Sequence, residues 1–372
     1  MKRLRLAVIG AGHLGRIHTR LAQSLDQCEV VAVIDPLQAA RSQIAAEFDV
    51  PVCCSHSEVI DKVDAAIVAT PTKYHHVVTT ELLESGVHVF VEKPLTPTPD
   101  KAEELVALAR EQEVVLQVGH VERFNPALCA VLPSLGNPKY VEAVRTSGYT
   151  FRSTDIGAVL DLMIHDLDII LSLMKSDLVA VQAIGMSMFG GHEDMAQARL
   201  QFADGCVANL TASRCSYVAQ RHMQVFTETG YANIDFAQHT AKYIRPHESI
   251  MRREIDFNKL TPDQKLFVRD SLFTEYLPIE DIPVESNNAI LEEQLDFVSS
   301  IQGHSTPRIS GEDGLAAIRV ATQILDQIAE HRWTDTSGKS KGPLYIPPPI
   351  TLPVSSFETT SEPDEQIRRK AG

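Results

Sequence analysis

The chain has 372 residues, of which 44% are hydrophobic and 22% charged, so we expect a globular protein with more than one core. A formal charge of -15, from 34 basic and 49 acidic residues, excludes a general nucleic-acid or anionic-membrane surface, and an anionic substrate would need a local basic pocket. Gly10 and Arg16 break the apolar stretch after Met1, so we expect no signal segment. The six cysteines show no zinc spacing, so we expect a cytoplasmic chain with reduced thiols and no metal site.

Residues 4 to about 120 alternate β-rich runs with amphipathic segments, which predicts parallel strands joined by crossover helices. The predicted strands are residues 6–9, 30–34, 65–69, 87–91 and 114–118. A helix is predicted after the first strand, where apolar residues recur at helical spacing: Leu14, Ile17, Leu21 and Leu25. We therefore expect a doubly wound α/β domain over residues 1–120.

The first strand leads into the glycine motif Gly10-Ala11-Gly12-His13-Leu14-Gly15, and a helix follows. Glycine permits a tight turn and the close approach of backbone to a pyrophosphate, and the helix N-terminus supplies positive potential. Asp35 ends the second strand 20 residues after Gly15, where a carboxylate binds an adenosine ribose and repels a 2′-phosphate. The pattern predicts a Rossmann site for NAD rather than NADP, held by Gly10, Gly12, His13, Leu14, Gly15 and Asp35. A glycine turn in a ligand-free sheet is the alternative, and it does not explain Asp35.

Thr70-Pro71 follows the 65–69 strand, and His75 and His76 come shortly after it. Because the carboxyl ends of parallel strands meet at one edge of the sheet, this loop is predicted to form a wall of the cofactor site. Thr70, Pro71 and His75 are therefore candidate cofactor contacts. His76 is more typical of a solvated residue at a helix start.

Glu92-Lys93-Pro94 ends the 87–91 run at the same edge of the predicted sheet. This position places an ammonium group beside the expected nicotinamide, and the proline restricts the chain there. We therefore expect Glu92 and Lys93 to contact the cofactor and Lys93 to be catalytic. The alternative is a strand-end lysine that points into solvent.

After Gly119 the pattern becomes predominantly β. A short helix is predicted to begin at residues 125–126, and longer helices are predicted at residues 158–174, 288–301 and 312–330. The predicted strands are residues 140–146, 178–186, 196–202, 206–212, 222–228 and 231–236. Asp204-Gly205 and Thr229-Gly230 turns join them into consecutive hairpins, which predicts an antiparallel sheet. Residues 237–283 yield no assignment. We expect a second α/β domain over residues 121–333 and a Pro/Ser/Thr-rich extended or disordered tail over residues 334–372.

The helix predicted at residues 158–174 carries Asp161 and His165 among apolar residues. Their spacing of four places both on one face, so both can project into a pocket. A histidine can take a hydroxyl proton as a hydride leaves the same carbon, and a carboxylate one turn away can orient it. Two alternatives stay open: a core histidine satisfied by its neighbour, and a metal site, for which no third and fourth ligand spacing occurs.

Several motifs follow one another along residues 4 to 330: the glycine motif, Asp35, Thr70-Pro71 with His75, Glu92-Lys93-Pro94, and Asp161 with His165. This order resembles the Gfo/Idh/MocA oxidoreductase family. The resemblance implies an N-terminal Rossmann sheet joined to a C-terminal α/β domain with an open, mainly antiparallel sheet. It also implies nicotinamide-dependent chemistry on pyranosides or polyols, and assembly through the open sheet face as homodimers or homotetramers.

By position, Lys93 resembles the family lysine that contacts the reacting oxygen, Asp161 the acid beside it, and His165 the general acid/base. The resemblance also implies a cis bond before Pro94. The local run of residues 118–126 is similar to that of family members that oxidise the C3 hydroxyl of UDP-N-acetylglucosamine to a 3-keto nucleotide sugar. Those members serve lipid A or surface-polysaccharide synthesis with a downstream aminotransferase as pathway partner.

The sequence thus predicts an NAD-dependent dehydrogenase whose second domain binds substrate and forms oligomers. The candidate substrate contacts are Lys93, Arg123, Asn125, Arg152, His165, Arg214 and Arg221. The arginines among them could form a diphosphate pocket, or each could be solvated. One alternative function is a dehydrogenase or reductase of a free sugar, inositol or small carbonyl compound. Another is an NAD-sensing regulatory protein without catalysis, which would be expected to lack Lys93 or His165.

Overall fold

The structure is a computed structural model that describes residues 3–150, 155–189, 191–334 and 340–342. Its first part contains β1 (Leu4–Ile9), α1 (His13–Gln23), β2 (Cys28–Ile34), α2 (Gln38–Glu47), β3 (Val52–Cys53), β4 (Ala65–Val68), α3 (His75–Glu84), β5 (His88–Glu92), α4 (Pro99–Glu111) and β6 (Leu116–Gly119). The six strands form one parallel sheet in the order β3-β2-β1-β4-β5-β6. This confirms the predicted doubly wound sheet.

The strand order reverses between β1 and β4, and the crevice at such a switch point is where doubly wound sheets bind ligands. The strands are apolar along most of their length because helices cover both faces of the sheet; all four residues of β4 are buried. The segments that follow β1, β2, β4 and β5 carry most of the predicted cofactor residues and Lys93, so the fold brings these residues to one edge.

The second part contains α5 (Pro126–Val131), β7 (Pro138–Thr146), α6 (Ile164–Leu173), β8 (Leu178–Met186), β9 (Met195–Phe202), β10 (Val207–Ser213), β11 (Gln220–Thr227), β12 (Gly230–Asp235), β13 (Thr240–Ile244), α7 (Glu248–Met251), α8 (Pro262–Asp270), β14 (Ile279–Ile282), α9 (Ala289–Ile301) and α10 (Gly311–Glu330). Its strands form a sheet in the order β14-β13-β12-β11-β7-β10-β9-β8. A short pair, β15 (Trp333–Thr334) and β16 (Ser340–Lys341), follows.

The predicted run of consecutive hairpins is wrong at one place. β10 and β11 are consecutive in sequence but not adjacent in the sheet, because β7 lies between them and pairs with β10 in parallel. All other neighbours in this sheet are antiparallel, as expected.

Residues 237–283, which had no sequence assignment, contribute β13, β14 and two short α-helices. The tail predicted from residue 334 onward lies outside the described residues except at 334 and 340–342.

The long helix predicted at residues 158–174 is present, but it begins with a π-helical turn, Val159–Met163, before α6. Such wide turns are frequent at functional sites. Glu193 caps this start: its carboxylate accepts a hydrogen bond from the Val159 amide at 2.9 Å. The carboxylate lies where a Cβ on Gly157 would stand, so only glycine leaves room for this cap.

Two C-terminal helices connect the sheets. α9 packs on the first sheet, where Phe297 contacts Phe90 of β5 with ring centroids 5.9 Å apart. α10 packs against α4 and β6 on one side and against α6 and β8 on the other. Within the described residues, no helix is both long and apolar enough to cross a membrane.

Buried charges on β7 and α6 complete the packing under the second sheet. Arg145 of β7 donates to both carboxylate oxygens of Asp166, at 3.1 and 2.7 Å, and to Glu122 at 2.6 Å. All three side chains are less than a tenth exposed. Since carboxylates buried without a partner are costly, Asp166 and Glu122 both depend on this guanidinium, although Arg221 also lies 3.9 Å from Glu122.

We expect the substitution Arg145→Met to lower the free energy of unfolding by about 3–5 kcal/mol, because it leaves two buried carboxylates without their cation. Lys139→Met on the same strand is the matched control, since Lys139 forms only an exposed pair with Glu228. Urea unfolding at fixed protein concentration measures both variants. Equal midpoints for the two would contradict the proposed dependence on Arg145.

Candidate active site

One cleft of about 1180 Å³ runs along the carboxyl edge of the first sheet and reaches the start of α6. The predicted site residues that line it are Gly10, Gly12, His13, Leu14, Asp35, Thr70, Pro71, Lys93, Asp161, His165 and Arg221. The fold therefore brings the glycine motif and the Asp161/His165 pair into a single space, although they are about 150 residues apart in sequence.

The glycines of the motif have different roles. A Cβ on Gly10, where φ is +104°, would stand 2.5 Å from the Ala69 carbonyl oxygen, and one on Gly15 would stand 1.8 Å from the Gly10 carbonyl oxygen. Both positions are therefore required for packing of the turn. A Cβ on Gly12 would meet nothing within 4 Å. Gly12 faces the open cleft, which fits a position where backbone approaches a pyrophosphate.

Asp35 joins the end of β2 to the glycine turn. Its carboxylate accepts hydrogen bonds from the Ala11 amide at 2.9 Å and from the Leu37 amide at 2.8 Å. These two bonds fix the carboxylate at the edge of the cleft, and each oxygen keeps a further acceptor site. This geometry fits the predicted ribose contact.

His75 does not line the cleft, contrary to its predicted role as a cofactor contact. It is buried, with Nδ1 2.8 Å from the Pro94 carbonyl oxygen and Nε2 2.8 Å from the Thr70 carbonyl oxygen. Burial lowers the pKa of His75, although both carbonyl contacts oppose this shift. The ring braces the loop after β4 against the chain that follows Lys93.

Glu92 also points away from the cleft, because neighbouring residues of a strand project to opposite faces. Its Oε1 accepts a hydrogen bond from His18 Nε2 at 2.7 Å, and its Oε2 from the Lys93 amide at 3.3 Å. Gln294 of α9 donates to His18 Nδ1 at 2.8 Å. Glu92 thus supports the backbone behind Lys93.

Glu293 lies beside Glu92 and His18, and their potential ligand atoms fall within 4.8 Å of one another. Three such groups could in principle hold a metal ion. However, both nitrogens of His18 are engaged in hydrogen bonds, and burial followed by the charge of Glu92 raises the pKa of Glu293 well above its ordinary value. A buried carboxyl with a raised pKa, beside an imidazole whose two nitrogens are both bonded, fits a packed polar cluster better than a cation site.

Lys93 reaches across the cleft to the π-helical turn. Its ammonium donates to the Asp161 carbonyl oxygen at 2.7 Å and to Asp161 Oδ1 at 3.0 Å. Both side chains are mostly buried yet line the cleft. The peptide bond between Lys93 and Pro94 is cis, as the family resemblance implied.

His165 stands at the same end of the cleft. Its Nδ1 is buried and, among the described residues, has no hydrogen-bond partner. The expectation that Asp161 orients this ring is therefore not met, since the Asp161 carboxylate pairs with Lys93 instead. Burial, and then the charges of Lys93 and Arg145, lower the pKa of His165 well below its ordinary value. The ring is neutral near neutral pH and able to accept a proton.

Two residues that sequence analysis gave no role also line this end: Glu122 and Arg145. The sequence of β7 does contain a pattern that could have indicated a role for Arg145. In β7 the buried positions alternate as Val141, Ala143 and Arg145, so a charged residue occupies an inward-facing position. Such a residue is rarely buried without a partner or a function.

The predicted substrate arginines separate into two groups. Arg221 lines the cleft with 57% of its side chain exposed, 3.9 Å from Glu122. Arg123 is buried beside Asp168, and Arg214 donates to Asp194 at 2.7 Å, so neither is placed in the cleft. Arg152 lies outside the described residues.

Asn125 is likewise structural in this fold. Its Oδ1 accepts from the Ala127 amide at 3.1 Å and caps α5, as the Asn-Pro sequence predicted. Its Nδ2 donates to Glu122 Oε2 and to the Phe236 carbonyl oxygen. With its polar atoms engaged, Asn125 holds Glu122 in place and does not face the cleft.

Comparisons with known proteins agree with this arrangement. Residues 4–120 match the model of an oxidoreductase family with an NAD-binding Rossmann fold, and residues 134–233 match the model of the GFO/IDH/MocA C-terminal domain. The UDP-N-acetylglucosamine 3-dehydrogenase of Acidithiobacillus ferrooxidans is 32% identical over 325 residues, which cover 87% of this chain and 97% of the relative.

A solved structure of the UDP-N-acetylglucosamine 3-dehydrogenase GnnA from Acidithiobacillus ferrooxidans matches with a TM-score of 0.76 at 30% identity. The match covers 88% of this chain and 98% of that chain. The scyllo-inositol 2-dehydrogenase (NAD(+)) of Bacillus subtilis is 29% identical over 232 residues, which cover 57% of this chain and 68% of the relative.

The glycine geometry predicts opposite effects for two substitutions. Gly12→Val should weaken NAD binding at least about tenfold, which is about 1.4 kcal/mol, because its side chain enters the cleft, whereas the unfolding midpoint without NAD should change little. Gly15→Ala should lower the unfolding midpoint, because its Cβ collides with the Gly10 carbonyl oxygen. Calorimetric titration with NAD and thermal unfolding measure both. A Gly12→Val protein with unchanged NAD affinity would contradict the placement of the pyrophosphate.

Proposed function

The chain belongs to the GFO/IDH/MocA family of NAD-binding oxidoreductases, and from that premise we propose that it oxidises the C3 hydroxyl of UDP-N-acetylglucosamine to a 3-keto nucleotide sugar. The observation that carries the proposal is the cleft in which Lys93, Asp161 and His165 face the glycine motif. Its product would be a substrate for an aminotransferase in lipid A or surface-polysaccharide synthesis.

In the proposed mechanism His165 accepts the hydroxyl proton, because its ring is neutral near neutral pH and lines the cleft. Bound NAD supplies the hydride acceptor. Lys93 stabilises the alkoxide that develops on the same oxygen, where a cation acts more strongly than in bulk water because its side chain is mostly buried. Asp161 holds the Lys93 ammonium in position. The reverse reaction returns the proton from His165 to the oxygen.

An exposed arginine at this end of the cleft supports a phosphorylated substrate. The chain carries a formal charge of -15, so an anionic ligand needs local compensation. Arg221 supplies it: the guanidinium is largely exposed in the cleft and lies 3.9 Å from Glu122, the nearest acid in the described part of the chain, which is too far for a strong bond. We assign Arg221 to the diphosphate.

Oxidation of free inositol is the second candidate, and the similarity to the scyllo-inositol 2-dehydrogenase favours it. That relative aligns over 57% of this chain, however, whereas the nucleotide-sugar dehydrogenase aligns over 87%. A regulatory protein without catalysis is not supported, because Lys93 and His165 are present and face the cleft.

We assign NAD binding to residues 1–120, and substrate binding and self-association to residues 121–333. The edge strand β8 exposes Val179, Ile184 and Met186, apolar side chains that a second copy would cover. We propose a homodimer or homotetramer formed through the open face of the second sheet.

The substrate assignment is tested by mixing the enzyme with NAD and either UDP-N-acetylglucosamine, free N-acetylglucosamine or inositol, each with an excess of a ketone trap. We expect reduced nicotinamide to form with the nucleotide sugar, and Arg221→Gln to raise its KM about tenfold or more by removing a charged diphosphate contact. The Arg221→Gln change should leave NAD binding unaltered. Turnover of inositol without turnover of the nucleotide sugar would overturn the substrate assignment and keep the family.

The catalytic roles are tested with Lys93→Met and His165→Asn. Each should lower kcat by about 10²- to 10⁴-fold, because each removes a group that acts on the reacting oxygen, whereas the NAD dissociation constant should stay nearly the same. His76→Asn is the control, since His76 pairs with Glu104 on the surface at 2.7 Å. If either cleft variant turns over like the control, the role of that residue is wrong.

A further inference from the structure

His120 lies immediately behind the proposed base. It follows β6 and begins the 3-10 turn Val121–Phe124, and its amide donates to the Val118 carbonyl oxygen at 2.9 Å. Its side chain is 1% exposed, and neither ring nitrogen has a hydrogen-bond partner in the described part of the chain. A buried imidazole with both nitrogens unsatisfied is costly, so a specific function is the expected compensation.

His120 faces the ring of His165, which also has a buried nitrogen without a hydrogen-bond partner among the described residues. The rings of His120 and His165 meet edge to face, with centroids 6.3 Å apart and planes at 85°. His165 Nδ1 is the other buried ring nitrogen without a partner at this place. A neutral imidazole has one donor and one acceptor, so each ring can supply what the other lacks.

The residue expected to orient His165 is engaged elsewhere, because the Asp161 carboxylate pairs with Lys93. The charges that lower the pKa of the two histidines are those of Lys93 and Arg123 at His120, and of Lys93, Arg145 and Arg221 at His165, where the His120 ring also contributes. Three of these cations are themselves paired with acids: Lys93 with Asp161, Arg123 with Asp168, and Arg145 with Glu122 and Asp166. Lys93 directly follows β5, Arg145 lies in β7 and Arg221 in β11, whereas Arg123 belongs to the turn after His120. The surroundings therefore disfavour an imidazolium, and a neutral acceptor is the partner that His165 needs.

We propose that His120 is the positioning residue of His165: a ring nitrogen of His120 accepts the Nδ1 proton of His165, which leaves the Nε2 lone pair facing the cleft. The contact closes through one bridging water or when the loaded cleft tightens, as catalytic hydrogen bonds do on substrate binding. This role rests on the proposed function of His165 as the base.

The proton balance follows from this arrangement. The hydroxyl proton moves to Nε2, the Nδ1 proton stays in its bond to His120, and the resulting imidazolium gives the Nε2 proton back in the reverse direction. Burial lowers the pKa of His120 to about 3, with the charges of Lys93 and Arg123 adding to this shift. His120 therefore stays neutral near neutral pH and keeps its acceptor nitrogen.

The first test compares His120→Phe, which keeps a ring but has no acceptor, with His120→Asn, which keeps a carbonyl acceptor but is smaller. We expect His120→Phe to lower kcat roughly 10- to 100-fold, the loss typical when the partner of a functional histidine is removed. NAD affinity should stay unchanged. The acid limb of the kcat pH profile should move to lower pH, because the imidazolium of His165 loses its acceptor. His120→Asn should recover part of kcat.

A merely structural role of His120 gives the opposite order, since Phe would preserve packing and activity and Asn would leave a cavity. That order, or a His120→Phe pH profile identical to that of the wild type, overturns the proposal.

The second test needs no turnover. In protein labelled with ¹⁵N-histidine, His165 is assigned from the signal lost in His165→Asn, and its ring shifts report which nitrogen carries the proton. We expect Nδ1–H in the wild type and a shift toward Nε2–H in His120→Phe. An unchanged tautomer contradicts the role of His120 even if the enzyme is active. The expected tautomer change in an enzyme that oxidises no sugar would instead leave the positioning intact and refute the proposed function.

Discussion

The contact between Lys93 and Asp161 is the constraint on which the site depends. It joins the carboxyl end of β5 in the parallel sheet to the π-helical turn under the mainly antiparallel sheet, with bonds of 2.7 and 3.0 Å. Because both partners line the cleft, the bond that connects the two parts of the fold is also the bond that places the cation. It also commits the Asp161 carboxylate, so His165 needs another partner.

Buried arginines show how an acidic chain can keep a local positive site. Each of three is neutralised by acids in its own surroundings: Arg123 by Asp168, Arg145 by Glu122 and Asp166, and Arg214 by Asp194. Their charges are used for packing between elements, because removing one partner of a buried pair is costly. Arg221 differs, since more than half of its side chain is exposed in the cleft. Its charge is thus available to a ligand.

The sequence predicted the two sheets and the cofactor edge, because local periodicity and the rule for strand ends determine them. The grouping of Lys93 with Asp161 and His165 was predicted from the resemblance of the motif order to that of the family. The sequence did not predict which way each side chain points. Glu92 and Lys93 are neighbours on a strand end, so only one of them can face the cleft.

The pairing of strands that are distant in the chain was the other feature that the sequence did not predict. The turn residues between strands predict hairpins, but nothing local in residues 206–228 indicates that β7 inserts between β10 and β11. His120 was likewise beyond sequence analysis, because its relation to His165 depends on a contact between residues 45 positions apart in the chain.

The proposed oxidation requires the hydride to leave C3 of the nucleotide sugar. Incubating the enzyme with NAD and UDP-N-acetylglucosamine deuterated at C3 tests it directly, with mass spectrometry of the reduced cofactor as the measurement. We expect reduced nicotinamide that is one mass unit heavier than the unlabelled form. Reduced nicotinamide without deuterium, formed from the same labelled sugar, would contradict it.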